Sequence, residues 1–308
     1  MQVTKDLYKK KELVLNYLRD RANESFSEII KIYGQKDYKD RASEINKEIK
    51  NTTNNIITII NQRANSQSWT KNEIIQNILM VTYCSYIVMI EFRNYAWPYE
   101  YMTFSRRIGE LWEPFCKLCF DYPINTTVEL IEPPLFSDVK NKLYIEISDY
   151  INQLKITSEE KRTLIDYYDK VWSLVTSGEI KLELDLHILL NSVKYNIDFK
   201  SGFQSNEKGN TNRLLLVASI YKNIIGENNE CLIFVRAKEE ENNHYLQTLK
   251  NSGIWNVYCG IETYDKIKEF SGFDILNWIS TNIDWEKDFS KETIKYFKQE
   301  DLVKYLSW

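Results

Sequence analysis

Residues 181–213, KLELDLHILLNSVKYNIDFKSGFQSNEKGNTNR, decide how this chain is read. Apolar residues alternate with polar ones in two runs, Leu182, Leu184, Leu186, Ile188 and then Tyr195, Ile197, Phe199, the period-2 signature of half-buried strands. Asn191-Ser192 between them suits a turn. Successive strand side chains point to opposite faces. Glu183, Asp185 and His187 therefore share one face of the first strand, and Asn196, Asp198 and Lys200 share one face of the second. If the strands pair, Asp185, Asp198 and Lys200 meet.

Two carboxylates and an ammonium on one sheet face suit a hard cation such as Mg2+, which takes carboxylate oxygens together with waters and phosphate oxygens. Such an ion stabilises charge on a phosphoryl group and lowers the pKa of a bound water, while a nearby lysine orients that water or offsets transition-state charge. This is chemistry for hydrolysing phosphodiesters. The bare pattern acid-x-Lys occurs six times, at Asp37, Glu48, Asp138, Glu159, Glu179 and Asp198, so the pattern alone selects nothing. Only at Asp198-Lys200 does an acid-bearing strand precede it and a loop with Gly202 and Gly209 lead into an apolar helix. The competing reading of the same residues is an ordinary antiparallel hairpin with a solvated polar face. His187 reads as a surface or packed histidine rather than a ligand.

Asp185, then Asn196-Ile-Asp198-Phe-Lys200, then the segment from Ser201 to Asn210, resemble the PD-(D/E)xK nuclease core as it occurs in type II restriction endonucleases. The resemblance implies an α/β (α+β) fold, a mixed-sheet nuclease core flanked by helices with a mainly helical N-terminal region. It implies Asp185 and Asp198 as metal ligands and Lys200 as the residue serving the attacking water. It departs from the pattern in two places: no proline precedes Asp185, and Asp fills the second acidic position where Glu is commoner. Glu183 stays open as the first ligand. Upstream, Ser105-Arg106-Arg107-Ile-Gly109-Glu110-Leu-Trp-Glu113 resembles the helix preceding the core, where a Gly four residues before a Glu is common and the Glu supports the metal. That role falls to Glu113 here. Glu110, three residues earlier on nearly the same helix face, is its rival, and a solvated acidic pair is the plain alternative. Pro114 leads us to expect that the helix restarts or bends there. The resemblance further implies Mg2+ as cofactor, double-stranded DNA as substrate and a homodimer.

The chain has 308 residues, 43% of them hydrophobic, enough for a substantial core in one large or two modest domains. A formal charge of −4 gives no global attraction to nucleic acid, which counts against a non-specific coating protein. Between residues 191 and 226, however, Lys194, Lys200, Lys208, Arg213 and Lys222 stand against Asp198 and Glu207, a local positive balance where phosphates would sit. Five cysteines without a signal peptide read as reduced thiols in a cytoplasm. The CxxC at Cys116-Cys119 lacks a second pair or a nearby histidine, so it reads as two small residues on one helix face. The apolar run Ile78 to Ile90 is shorter than the roughly 20 residues a bilayer requires, and reads as a buried helix with no membrane partner.

In chain order, residues 1–93 are helical in pattern, with one helix at Leu13 to Leu18, another at Phe26 to Ile32 and a longer one around Ile56 to Ile60. Thr70 and Glu73 form a capping box opening the buried helix. This region is expected to serve DNA recognition or dimerisation, and residues 94–308 to form the nuclease domain, with its active-site hairpin at 181–200. Tyr122-Pro123 and Pro133-Pro134 favour a loop or edge strand. Thr157 with Glu160 caps a helix towards Gly178. After the hairpin come a helix at Asn212 to Ile225, a strand at Cys231 to Val235, a helix at Tyr245 to Leu249, a strand at Trp255 to Cys259 and a helix at Tyr264 to Ile279.

The loop from Ser201 to Asn212 offers Ser205, Asn206, Lys208, Asn210, Asn212 and, just after it, Arg213 for phosphate or base-edge contacts. Arg236 is a further candidate. A P-loop is not supported, since G-x-x-x-x-G-K-[ST] is missing. The expected activity is a Mg2+-dependent, sequence-specific DNA endonuclease. A repair nuclease, junction resolvase or transposon-end nuclease would use the same chemistry. A non-catalytic helical binding or scaffold protein is the reading from another class.

Overall fold

In the computed structural model, which describes residues 1–34, 37–173, 180–204, 207–226 and 228–308, Asn191 and Ser192 lie at φ 51° and 66° and fold the chain back so that Leu190 pairs with Val193. A two-residue loop with both φ positive matches the twist of antiparallel strands, and Asn tolerates that conformation. The hairpin is therefore pinned by its turn. In chain order the elements are α1 (Lys11–Ile32), α2 (Tyr38–Gln67), α3 (Lys71–Ala96), α4 (Tyr101–Asp121), β1 (Glu129–Leu130), α5 (Phe136–Gln153), α6 (Ser158–Ser173), β2 (Leu186–Leu190), β3 (Val193–Lys200), α7 (Lys208–Ile220), β4 (Asn229–Val235), α8 (His244–Asn251), β5 (Asn256–Cys259), α9 (Ile261–Ser271), α10 (Ile275–Asn282), α11 (Trp285–Asp288) and α12 (Lys291–Gln299).

The chain is mixed α/β and divides into two units, residues 1–128 with 260–308, and residues 129–259. These bounds differ from the expected 1–93 and 94–308. The reason is side-chain packing: Trp112 Nε1 of α4 donates to Tyr264 Oη of α9 at 2.8 Å, Trp308 Nε1 donates to Ile108 O at 3.0 Å, and Arg19 and Lys11 of α1 bind Asp288 through its carbonyl and carboxylate. The last 49 residues thus belong with the N-terminal helices.

Within that helical unit, several sequence expectations change. The two helices read from Leu13 to Ile32 are one, α1. The Thr70–Glu73 capping box opens α3 with Thr70 N–H on Glu73 Oε2 at 2.8 Å and Glu73 N–H on Thr70 Oγ1 at 3.2 Å. The run Ile78 to Ile90 is the middle of this 26-residue helix. Among the described residues α3 is the one helix long and apolar enough to cross a membrane, and most of it is buried in its own unit. Helix α4 runs unbroken through Pro114 instead of restarting there. Pro114 lies on the exposed side of the helix, while Phe104, Ile108, Leu111, Trp112, Phe115 and Phe120 hold the opposite face in the core. Cys116 and Cys119 are both buried on that face. Gly272, at φ 76°, ends α9, so the helix expected from Tyr264 to Ile279 is two helices.

The second unit is built on a five-stranded sheet in the order β1-β2-β3-β4-β5. Strands β1, β2 and β3 are antiparallel neighbours, whereas β3, β4 and β5 run parallel. Parallel neighbours need a crossover, which α7 and α8 supply. On one face Cys231, Ile233 and Val235 pack with Leu214, Val217, Ala218 and Tyr221 of the α7 segment and with Leu246 and Leu249 of α8. On the other, Phe199 and Phe234 meet edge-to-face with centroids 5.3 Å apart. Thr157 and Glu160 cap α6 reciprocally, and the stop expected at Gly178 lies outside the described residues.

Candidate functional site

The ladder pairs Leu186 with Ile197 and His187 with Asn196, so one further step along the hairpin sets Asp185 opposite Asp198. On the parallel side Asp198 faces Ile233 and Lys200 faces Val235. The polar line His187, Asn196, Asp198, Lys200 therefore lies on the sheet face covered by α7. A solvated polar face does not describe it: His187, Asn196 and Asp198 are 6%, 2% and 1% exposed. Burial of such groups demands partners.

Lys200 Nζ supplies one. It touches Asp198 Oδ2, stands 4.0 Å from Asp185 Oδ2 and donates to Phe199 O at 3.1 Å. Arg213, in the second turn of α7, brings Nη2 to 3.6 Å from Asp198 Oδ1. Both contacts with Asp198 are ion pairs, and among the described residues its oxygens have no further hydrogen-bond partner. Side-chain exposure rises outward, from 1% at Asp198 through 19% at Lys200 and 28% at Asp185 to 41% at Arg213, so the cluster opens to solvent past Asp185 and Arg213. Burial pushes the Asp198 carboxyl up to about 6; the charge of Asp185 adds to the rise, and Lys200 and Arg213 oppose it.

Asp185 precedes β2 rather than lying within it. Its Oδ2 accepts the Phe199 N–H at 2.7 Å. The segment 182–185 is fastened by two further bonds, Tyr221 Oη to Leu182 O at 3.1 Å and Leu184 N–H to His187 Nε2 at 2.9 Å. Because Leu184 N–H can only donate, Nε2 is the unprotonated nitrogen, and Nδ1–H donates to Asn196 Oδ1 at 2.9 Å. Burial lowers the His187 pKa, in keeping with a neutral ring. His187 is a packed residue, as the sequence suggested. Its hydrogen bonds, together with Asn196 and Tyr221, were not foreseen, although the alternation already placed His187 and Asn196 on the face of the acids.

The remaining candidates fall as follows. Helix α7 begins at Lys208, so Lys208, Asn210, Asn212 and Arg213 occupy its first two turns and the loop is shorter than expected; Thr211 N–H on Glu207 O at 2.8 Å closes the first turn. Lys208 and Asn212 are exposed, and Asn210 Nδ2 donates to Glu207 Oε2 at 3.1 Å. Ser205 and Asn206 lie outside the described residues. Glu113 belongs to α4 of the helical unit, 3.7 Å from Lys117. Its rival Glu110 pairs with Arg106 at 2.6 Å, and Glu183 is exposed. Arg236 N–H donates to Lys200 O at 2.9 Å, tying the ends of β3 and β4.

Among the described residues no group of three or more His, Cys, Asp or Glu is gathered to hold a metal. The cluster offers two carboxylates. That number fits Mg2+, which usually keeps several waters and takes one or two protein carboxylates plus substrate phosphate. The oxygens of buried Asp198, which face Lys200 and Arg213, and the second oxygen of Asp185 are the donors for such an ion. Comparison with protein-family models, curated proteins and solved structures gives no match.

Proposed function

We propose that the chain is a Mg2+-dependent, sequence-specific double-stranded DNA endonuclease of the PD-(D/E)xK type, acting as a homodimer. The observation that carries the reading is the juxtaposition of Asp185 and Asp198 across the hairpin with Lys200 Nζ between them. An antiparallel hairpin continued by a parallel β3-α7-β4 crossover, with the acids and lysine at the carboxyl end of β3, agrees with it. Ligand sites of open α/β sheets commonly lie at such strand ends.

Asp185 and Asp198 hold the cation, which when bound lowers the pKa of a water and neutralises phosphoryl charge. Lys200 is within reach of both carboxylates, so it orients the attacking water beside them. Arg213, half out in solvent and paired loosely, supplies positive charge to the phosphate. Glu113 enters as a supporting carboxylate through the resemblance alone. The test is incubation of the purified protein with varied DNA and Mg2+, followed by mapping of the ends. Discrete fragments that disappear in Lys200→Ala and in EDTA are expected, and intact DNA under all conditions overturns the reading.

A further inference from the structure

We propose that His187 is a positioning residue that sets Asp185 for cation binding, assisted by Asn196 and Tyr221. For its consequence in catalysis, this inference rests on the nuclease reading.

The antiparallel ladder starts at Leu186, so the chain arriving at Asp185 lacks the strand hydrogen bonds that fix its successors. Side chains do that work instead. The Leu184 N–H, one residue before the carboxylate, is held by His187 Nε2, and the Leu182 carbonyl by Tyr221 Oη. The imidazole is itself held from the next strand, Nδ1–H to Asn196 Oδ1, and Asn196 Nδ2 reaches the Glu230 carbonyl of β4 at 3.4 Å. The chain of contacts thus crosses β2, β3 and β4 and ends beside Asp185. His187, Asn196 and Tyr221 are all nearly inaccessible, at 6%, 2% and 1% exposure.

Packing alone does not call for histidine here. A leucine or phenylalanine would fill the space without the cost of desolvating two ring nitrogens. Both nitrogens are used, one on each side of the ring, and the main-chain group they secure adjoins the carboxylate. Shifts of about 1 Å in a reacting group cost on the order of 100-fold in rate, so a fastening at this point bears directly on the site.

The experiment compares wild type, His187→Ala and His187→Gln, whose amide can accept from Leu184 and donate to Asn196. Three quantities are read: amide exchange at Leu184 and Phe199, Mn2+ affinity, and kcat and KM for DNA cleavage. For His187→Ala we expect exchange at both amides to accelerate roughly tenfold or more. Mn2+ binding and kcat should fall about 10- to 100-fold with KM little changed, and His187→Gln should recover most of each. If His187→Ala does not fold, Tyr221→Phe, which removes only the hydroxyl on Leu182, takes its place. Wild-type exchange at Phe199 together with wild-type Mn2+ affinity in His187→Ala, or in Tyr221→Phe where the alanine variant is unfolded, overturns the inference. A wild-type protein that neither binds Mn2+ nor cuts DNA overturns the nuclease reading instead, and the Phe199 amide then judges the role of His187 by itself.

Discussion

Asp185 Oδ2 accepts the backbone N–H of Phe199 at 2.7 Å, a carboxylate standing where the next ladder carbonyl would be. The residue proposed as a cation ligand is therefore also the last rung of the hairpin. Asp185→Asn keeps a carbonyl oxygen for Phe199 and removes the charge, whereas Asp185→Ala removes both. We expect the alanine variant to lose about 1 kcal/mol in urea denaturation relative to the asparagine variant. Both should lose cation binding and cleavage. Equal stability of the two would mean that the Phe199 bond contributes nothing.

Asp198 carries a pH dependence whose sign follows from its raised pKa, about 6 against an ordinary value of 3.8. Between these values the folded protein keeps a proton that the unfolded chain has released. The contribution of Asp198 to stability is complete below about pH 4 and is lost as pH rises through 6. At pH 8 the metal-free protein therefore bears a penalty of at most about 3 kcal/mol from this group. Asp198→Asn is expected to raise the melting temperature at pH 8 and to change it much less at pH 4.5, as calorimetry would show. A melting temperature lowered at pH 8 contradicts the desolvation argument.

Cation affinity should run the other way. Asp198 must be ionised to donate, so Mn2+ binding is expected to strengthen as pH rises through about 6 and to level off above it, where the carboxylate is fully formed. Isothermal titration from pH 5 to 8 would check this. A flat profile would show that the ion is held elsewhere.

The hairpin, its turn and the meeting of Asp185, Asp198 and Lys200 were legible because period-2 alternation and an Asn-Ser turn fix register within a few residues. The burial of the polar face was not. Alternation says which residues share a face, but not that α7 will cover it, and α7 covers it because Leu214, Val217 and Tyr221 find Ile233 and Val235 across a parallel crossover. The grouping into packing units was hidden for a similar reason. That Trp308 docks on Ile108 and Tyr264 on Trp112 depends on contacts between residues 150 or more apart. The join of α1 across Arg19 to Asn23 escaped because Arg19, Asp20, Arg21 and Asn23 look like a break in an apolar stripe, although Ala22 is buried there and nothing ends the helix.

Arg19 illustrates how the helical unit is held. Its guanidinium gives two hydrogen bonds to Glu91, at 3.0 and 2.8 Å, and a third to the Asp288 carbonyl at 2.6 Å, while Glu91 Oε1 also accepts Ser290 N–H. Glu91 is 1% exposed. Arg19→Met strands that carboxylate and should cost about 3–5 kcal/mol, whereas Arg19→Met with Glu91→Leu should recover much of the loss. Urea denaturation of the single and double variants would measure the coupling, and additive losses would deny it.

Lys200 is expected to give opposite effects on binding and turnover. Its Nζ touches Asp198 Oδ2 and stands 4.0 Å from Asp185 Oδ2, so the ammonium competes for the oxygens that a cation needs. Lys200→Met keeps much of the aliphatic length and removes the charge. Asp198 then retains Arg213 alone, at 3.6 Å, and its carboxyl is driven further up, so the metal-free variant should be less stable at pH 8. With the competing cation gone, Mn2+ affinity at pH 8 should equal or exceed that of the wild type. Cleavage should fall by about 100- to 10,000-fold, the usual loss when a group assisting proton transfer is removed. Affinity and rate measured on the same preparation separate the roles: a parallel fall in both would make Lys200 a support for the ion, and an unchanged rate would remove it from the chemistry.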